Sequence, residues 1–209
     1  MSTADSFPLS TPTPSKLGEP VWDLAFMFPF QGAWTVENYL ALDGGILVEY
    51  TDGFIKVLPM PTLLHQWIVR FLFRRLDAYV NERCLGEVLL APLPVRLTAT
   101  KYREPDLVFL RPERIKNWKG HPAGADLVVE VVSEGQENWQ RDHVEKRAEY
   151  AAAGIAEYWI VDPQERSITV LALTDNQYQV HGQFRVGQTA TSALLDAFTC
   201  DVSEVFAMC

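Results

Sequence analysis

The chain has 209 residues, 48% of them hydrophobic. That suffices for one domain burying about 70% of its unfolded surface without disulfides or a structural metal. Charged residues make up 22%, and Gly and Pro are not enriched, which excludes a disordered or fibrous chain. The formal charge of −9 argues against a general nucleic-acid binder, although a local basic rim can outweigh the global sign.

Residues 1–20 are rich in Ser, Thr and Pro without a hydrophobic period, which predicts a flexible tail ahead of a single domain over residues 21–209. No basic region followed by an apolar core opens the chain, so no signal peptide is expected. The apolar run Val21 to Phe30 carries Asp23 and Pro29 and is too short to span a bilayer. Trp22, Phe26, Phe28 and Phe30 are too apolar for a free linker and are expected to pack on the domain or on a partner subunit. Thr35 is a candidate N-cap for a short helix through Leu42. Strand-like runs from Ile46 to Tyr50 and from Phe54 to Leu58 flank Thr51-Asp52-Gly53, a hairpin signal.

Thr62 caps the longest helical pattern, which runs to about Arg83 with apolar Leu64, Ile68, Phe71, Leu72, Leu76 and Val80 at helical spacing. Gly86 reads as its stop. Strands are expected from Glu87 to Leu90, Val95 to Thr98, Asp106 to Leu110 and Asp126 to Val132. The last two are continuous apolar runs of the kind buried on both faces. A second long helix is expected from about Trp139 to Ala153, stopping at Gly154. Strands from Tyr158 to Val161, Ser167 to Leu173 and Tyr178 to Phe184 follow, then a short helix between Asp201 and Met208. The order predicts an α/β (α+β) fold with helices flanking a mixed sheet, and excludes a helical bundle or a regular doubly wound sheet. Cys84, Cys200 and Cys209 form no CxxC pair, which predicts reduced thiols, a cytoplasmic setting and no zinc site. No GxGxxG, P-loop, HExxH or GxSxG motif occurs.

Two carboxylates stand where charge is costly. Asp106 opens Leu107-Val108-Phe109-Leu110, and Glu130 interrupts Leu127-Val128-Val129-Glu130-Val131-Val132. A charge in a central strand must be paired or bind a cation, because its desolvation costs several kcal/mol. Antiparallel neighbours could set the two acids side by side, and a divalent cation would relieve their repulsion. A single such acid is more often turned outward to an Arg or Lys; two on adjacent core strands favour a site. By spacing alone, Lys146 is a surface ion-pair partner of Asp142, with Arg141 and Glu145 forming a similar pair. His65 reads equally as a core or capping residue, and Glu49 as an exposed acid near a turn.

Several motifs in order resemble the Uma-two family of restriction-endonuclease-like proteins, within the PD-(D/E)XK nuclease superfamily. They are Glu49-Tyr50-Thr51-Asp52-Gly53, the helix start with His65, Pro105-Asp106-Leu107, and Asp126 through Ser133. Arg141-Asp142, Lys146-Arg147, Tyr150, Ala153-Gly154 and Glu157 through Pro163 follow. The likeness runs from about Thr35 to Phe206.

The resemblance implies a restriction-endonuclease-like mixed β-sheet flanked by helices, with Asp106 and Glu130 as the two acids. Val132 stands where the wider superfamily carries Lys, and the resemblance transfers that role to Lys146. Glu49 and His65 are carried over as residues at the edge of the site. Asp106, Glu130 and the Val131 carbonyl would hold Mg²⁺ or Mn²⁺ for hydrolysis of DNA phosphodiester bonds, with Arg103, Arg141 and Arg147 near the phosphates. No separate DNA-reading domain is visible, so target recognition would call for a homodimer or another protein. A non-catalytic binding or assembly module with the same fold is the alternative, favoured by the net charge and by Val132. A hydrolase of small phosphate esters is the third.

Overall fold

The computed structural model describes residues 28–42 and 47–207. The expected tail over residues 1–20, together with Trp22, Phe26 and Cys209, lies outside the described residues. Thr35 caps α1 (Val36–Leu40) through a reciprocal pair of hydrogen bonds with Asn38. β1 (Val48–Thr51) and β2 (Phe54–Val57) flank Asp52 and Gly53, whose φ values of 47° and 89° supply the left-handed pair that a two-residue hairpin needs. Thr62 accepts from the His65 N–H at 3.1 Å and caps α2 (Leu63–Glu82). The buried stripe of α2 is Ile68, Val69, Leu72, Leu76 and Val80.

The stop of α2 differs from the expectation. Arg83 is the C-cap, and Cys84, not Gly86, takes the left-handed conformation at φ 53°. Gly86 is needed for close approach: a Cβ there would overlap the Leu110 carbonyl oxygen. β3 (Glu87–Leu90), β4 (Val95–Thr98), β6 (Leu107–Leu110) and β7 (Leu127–Val131) lie where the apolar runs predict them. β5 (Lys101–Arg103) was not expected, because Lys-Tyr-Arg carries no apolar alternation long enough to register.

The second helical stretch begins earlier than expected and is not uniform. α3 (Gln136–Gln140) passes into a π-helical turn (Arg141–Glu145) and then α4 (Lys146–Ala152), which ends before Gly154 at φ 72°. β8 (Glu157–Asp162), β9 (Ser167–Thr174) and β10 (Gln177–Arg185) follow. β11 (Thr189–Thr191), β12 (Thr199–Asp201) and α5 (Val202–Val205) close the described chain.

The main sheet has the order β10-β9-β8-β7-β6-β3, with β7 and β8 parallel and the other neighbours antiparallel. A second sheet, β2-β1-β5-β4, stands beside it, and β11 pairs with β12. One face of β6 and β7 packs Leu107, Phe109, Leu127, Val129 and Val131 on the α2 stripe. The other packs Val108, Leu110, Val128 and Val132 against Tyr150, Tyr158 and Ile160. Each such side chain contributes about 1.5–3 kcal/mol on burial, so a polar residue among them must be well partnered. Glu130 lies between Val128 and Val132 on this second face. No helix among the described residues is long and apolar enough to cross a membrane.

Candidate active site

The register of β6 against β7 sets Leu107 opposite Val129, so Asp106, one residue before β6, reaches the Glu130–Val131 end of β7. Its Oδ2 accepts from the Val131 N–H at 2.7 Å and lies 3.3 Å from His65 Nε2. His65 arrives in the first turn of α2. Burial opposes its charge, but the hydrogen bond and charge of Asp106, the charge of Glu130 and the Val131 main chain outweigh burial and hold its pKa above the ordinary histidine value. The His65 Nδ1 is buried without a protein partner.

Glu130 is fixed from the opposite side. Its Oε1 accepts from Lys146 Nζ at 2.8 Å and from the Tyr150 hydroxyl at 2.6 Å. Both donors come from α4, one turn apart, and α4 covers the second face of the main sheet. Burial pushes Glu130 up to about 8; Lys146 opposes this, while Asp106 and Asp142 add to it.

Lys146 is a buried ammonium, 1% exposed, and not the surface partner that its spacing suggests. It lies 3.2 Å from Glu49 Oε1 and 3.5 Å from Asp142 Oδ1 in addition to its bond to Glu130. Burial works against its charge, but Glu130, Glu49 and Asp142 overcome this and raise its pKa. Glu49 enters from β1 and is buried as well. Burial would raise its pKa, yet Lys146, Arg103 and Arg141 hold it below the ordinary value. A cavity of about 110 Å³, bounded by Glu49, Thr51, Arg103, Arg141, Lys146 and Glu149, adjoins this cluster.

Asp106, Glu130, Lys146, Glu49, His65 and Val131 thus converge from β1, α2, β6, β7 and α4. Several further members carried no assigned role from sequence. Tyr150 stands four residues after Lys146, the spacing that puts two side chains on one helix face, and that signal could have found it. Asp142 is 1% exposed, and its carbonyl accepts from the Tyr158 hydroxyl at 2.8 Å, which pins the π turn. The expected Arg141–Glu145 pair is absent among the described residues: the wide turn shifts the four-residue register, and Arg141 Nε meets Asp142 Oδ1 at 3.2 Å.

The arginines expected near phosphates are engaged inside the fold. Arg103 grips Glu149 through Nε and Nη2, each at 2.8 Å, and Arg147 donates to the Tyr178 carbonyl at 3.1 Å. The bidentate pair forms because β5 and α4 face each other across the edge of the second sheet, a contact no local spacing encodes.

The donor set of Asp106, Glu130 and the Val131 carbonyl is made of hard oxygens, which suit Mg²⁺ or Mn²⁺. His65 Nε2 lies 3.3 Å from the Asp106 carboxylate, and Asp106 and Glu130 together raise the histidine's pKa, so the pocket favours positive charge. Among the described residues no three His, Cys, Asp or Glu side chains form a closed metal cage. The side chains thus supply two carboxylates and the main chain one carbonyl, and Mg²⁺ bound by so few protein oxygens keeps several waters. Asp106 is the open side of the pair, its side chain 16% exposed against 5% for Glu130.

A mixed six-stranded sheet flanked by helices, with two acids at the meeting ends of central strands, defines a restriction-endonuclease-like α+β protein. The chain belongs to the Uma2 family: a family model described as "Putative restriction endonuclease" matches residues 36–203. A crystal structure from Anabaena variabilis ATCC 29413, described as "a putative nuclease belonging to DUF820", shares the fold. It is 18% identical with a TM-score of 0.67, covering 83% of this chain and 98% of that one. No curated protein matches the sequence.

Proposed function

We propose that this protein is a metal-dependent endonuclease hydrolysing DNA phosphodiester bonds. The observation that carries the reading is the meeting of Asp106 and Glu130 at adjacent strand ends, with the Val131 carbonyl beside them and His65 facing Asp106. Membership of a family described as a restriction endonuclease supports it. Asp106, Glu130 and the Val131 carbonyl would hold Mg²⁺ or Mn²⁺, which when bound stabilises charge on the scissile phosphate and acidifies the attacking water.

The chain's own residues prepare that site. The Val131 N–H fixes the Asp106 carboxylate in one orientation, leaving its second oxygen available. Tyr150 and Lys146 fix Glu130 from below. Lys146 acts through Glu130 as a positioning residue, because its ammonium is enclosed by three carboxylates and does not reach solvent. Glu49 and Asp142 keep Lys146 charged, so that it balances an ionised Glu130. His65 Nε2, 3.3 Å from Asp106 Oδ2, holds that carboxylate in place from the α2 side.

A second reading, a non-catalytic module that keeps the fold, is favoured by one observation. Val132 packs in the core where a solvent-facing Lys would stand, and the ammonium that replaces it is buried. Calorimetric titration of Mg²⁺ and Mn²⁺ into wild type and Asp106→Ala, beside a plasmid-nicking assay, separates the two. Binding and nicking that vanish together in the variant support the nuclease. Neither in wild type leaves the binding module.

A further inference from the structure

Near the acidic cluster Arg103 and Arg141 are taken up by internal ion pairs and Arg147 by the Tyr178 carbonyl, so contacts to nucleic acid must come from elsewhere. The connection from β6 to β7 supplies a candidate. It carries Arg111, Arg114, Lys116 and Lys119 against two acids, Glu113 and Asp126, in a chain of net charge −9. Trp118 stands at its tip, 73% exposed. Burying an indole is worth more than leaving it in water, so one presented this openly is an unpaired contact surface.

The loop is built to hold that indole out. Its base is clamped by Asp126, whose Oδ2 accepts from the Arg111 N–H at 2.8 Å and pairs with Arg114 Nε at 3.0 Å. Its return strand is tied to β4, where the Arg96 N–H donates to the Pro122 carbonyl and the Gly124 N–H to the Arg96 carbonyl, each at 2.9 Å. A turn closed by the Gly120 N–H on the Asn117 carbonyl at 3.1 Å carries Trp118. Beneath it lies a cavity of about 450 Å³ walled by Leu93, Arg96, Ile115, Lys116, Trp118 and His121. Among the described residues, Arg96, Arg111, Lys116 and Lys119 are in no ion pair, and Glu113 is the only acid on the cavity wall.

The position matters as much as the charge. Leu89 and Leu110 of this cavity belong to the sheet face that also carries Glu130. The loop leaves β6 five residues after Asp106, about 17 Å along the strand at about 3.4 Å per residue. The loop thus stands at the far end of β6 from Asp106, and a strand of nucleic acid reaching both would pass over the surface outside α4, which covers the face between them.

We infer that the β6–β7 loop is a second nucleic-acid contact, in which Trp118 stacks on an unpaired base of a single-stranded DNA segment and Arg96, Arg111, Lys116 and Lys119 hold its phosphates. Exposed cations track a backbone without reading sequence, and an aromatic platform accepts any base. The inference rests on the nuclease reading for the choice of nucleic acid as partner, and it adds a contact at the end of β6 opposite Asp106.

The test measures binding of a fluorescently labelled oligothymidylate of about 12 nucleotides. EDTA keeps binding separate from cleavage. Trp118→Ala is expected to weaken binding about tenfold, the effect of losing one stacked base, with an unchanged melting temperature. Lys116→Glu combined with Lys119→Glu should weaken it further. Absence of binding by wild type, or equal binding by Trp118→Ala, overturns the proposal. So does sedimentation showing that Trp118→Ala dissolves a dimer while oligonucleotide binding stays intact, because the indole then faces a second copy. Plasmid nicking with Mg²⁺ is scored separately. Loss of oligonucleotide binding in Trp118→Ala, with no nicking by wild type, keeps this contact and ends the nuclease reading. Nicking by wild type with equal binding by Trp118→Ala does the reverse.

Discussion

Glu130 has two donors of different kinds, and they separate charge from placement. Lys146 brings an ammonium shared with Glu49 and Asp142, whereas Tyr150 brings one neutral O–H aimed at a single oxygen. Tyr150→Phe keeps the ring edge-on to Tyr158, at a centroid distance of 5.1 Å, and removes only that bond. A hydrogen bond to a charged group is worth about 1.5–3 kcal/mol, so metal affinity and nicking should fall about tenfold in a folded variant. Unchanged values would mean that Lys146 alone positions Glu130. Glu104, near the other end of the network, makes a separate test. Burial pushes it up to about 7; the Val48 N–H opposes this, Glu49 adds to it, and Tyr39 and Lys146 oppose it. A carboxyl whose folded pKa exceeds its unfolded value binds more protons when folded. Its contribution to stability is full below about 4.5 and is lost as pH rises through about 7. Glu104→Gln mimics the protonated form, so in EDTA it should stabilise the protein by about 2 kcal/mol at pH 8 and by close to nothing at pH 4. Urea denaturation at the two pH values reads this difference, and an equal effect at both would remove titration of Glu104 from the account.

Gly86 shows how an element can be placed rightly for the wrong reason. It was read as the stop of α2, but Cys84 ends that helix and Gly86 lets β3 pass the Leu110 carbonyl of β6. Gly86→Ala therefore acts on the edge of the main sheet. It should destabilise the protein by about 3 kcal/mol or more by forcing β3 away from β6, with the loss seen first as faster amide exchange at Glu87 and Leu89. Exchange that quickened instead along the last turn of α2 would restore the helix-stop reading. The long apolar runs of β6, β7 and β8 and the amphipathic α2 were legible because burial imposes a period on the sequence. β5 was not, since three polar and aromatic residues become a strand only by pairing with β1 and β4. The π turn was equally silent: Arg141 and Asp142 have the spacing of a solvated helix face, and packing of that face against β1 and β8 buries them. Asp106 and Glu130 could be read because a carboxylate in an apolar strand is costly wherever the strand ends up. Lys146 could not be read without the family resemblance, since its partners come from three other elements.

Across the whole molecule the net charge of −9 counted against a nucleic-acid substrate, and the distribution of that charge is what answers it. Asp and Glu inside the fold are matched by Arg103, Arg141 and Lys146, so these cations add nothing to the outer field. Among the described residues, two groups of basic side chains stand outside these pairs. One is the β6–β7 loop with Arg96. The other is a cavity of about 540 Å³ beside α2, lined by Arg74, Arg75 and Arg83 with Phe71, Tyr79 and Phe198. Ionic strength distinguishes them, because each phosphate neutralised on a single strand contributes about −0.7 to the slope of log affinity against log salt. Four cations at the loop give a slope of about −3, and reversing Lys116 and Lys119 to Glu should bring it toward −1.5 or flatter. The measurement is oligonucleotide anisotropy between about 50 and 200 mM salt, the range over which such contacts weaken most visibly. A slope that stays near −3 in the double variant and collapses when Arg74 and Arg75 are replaced by Glu would move the strand to the α2 side. That side begins near His65, so the path of the nucleic acid would then run along the helix that carries the site's imidazole and not past the β6–β7 loop.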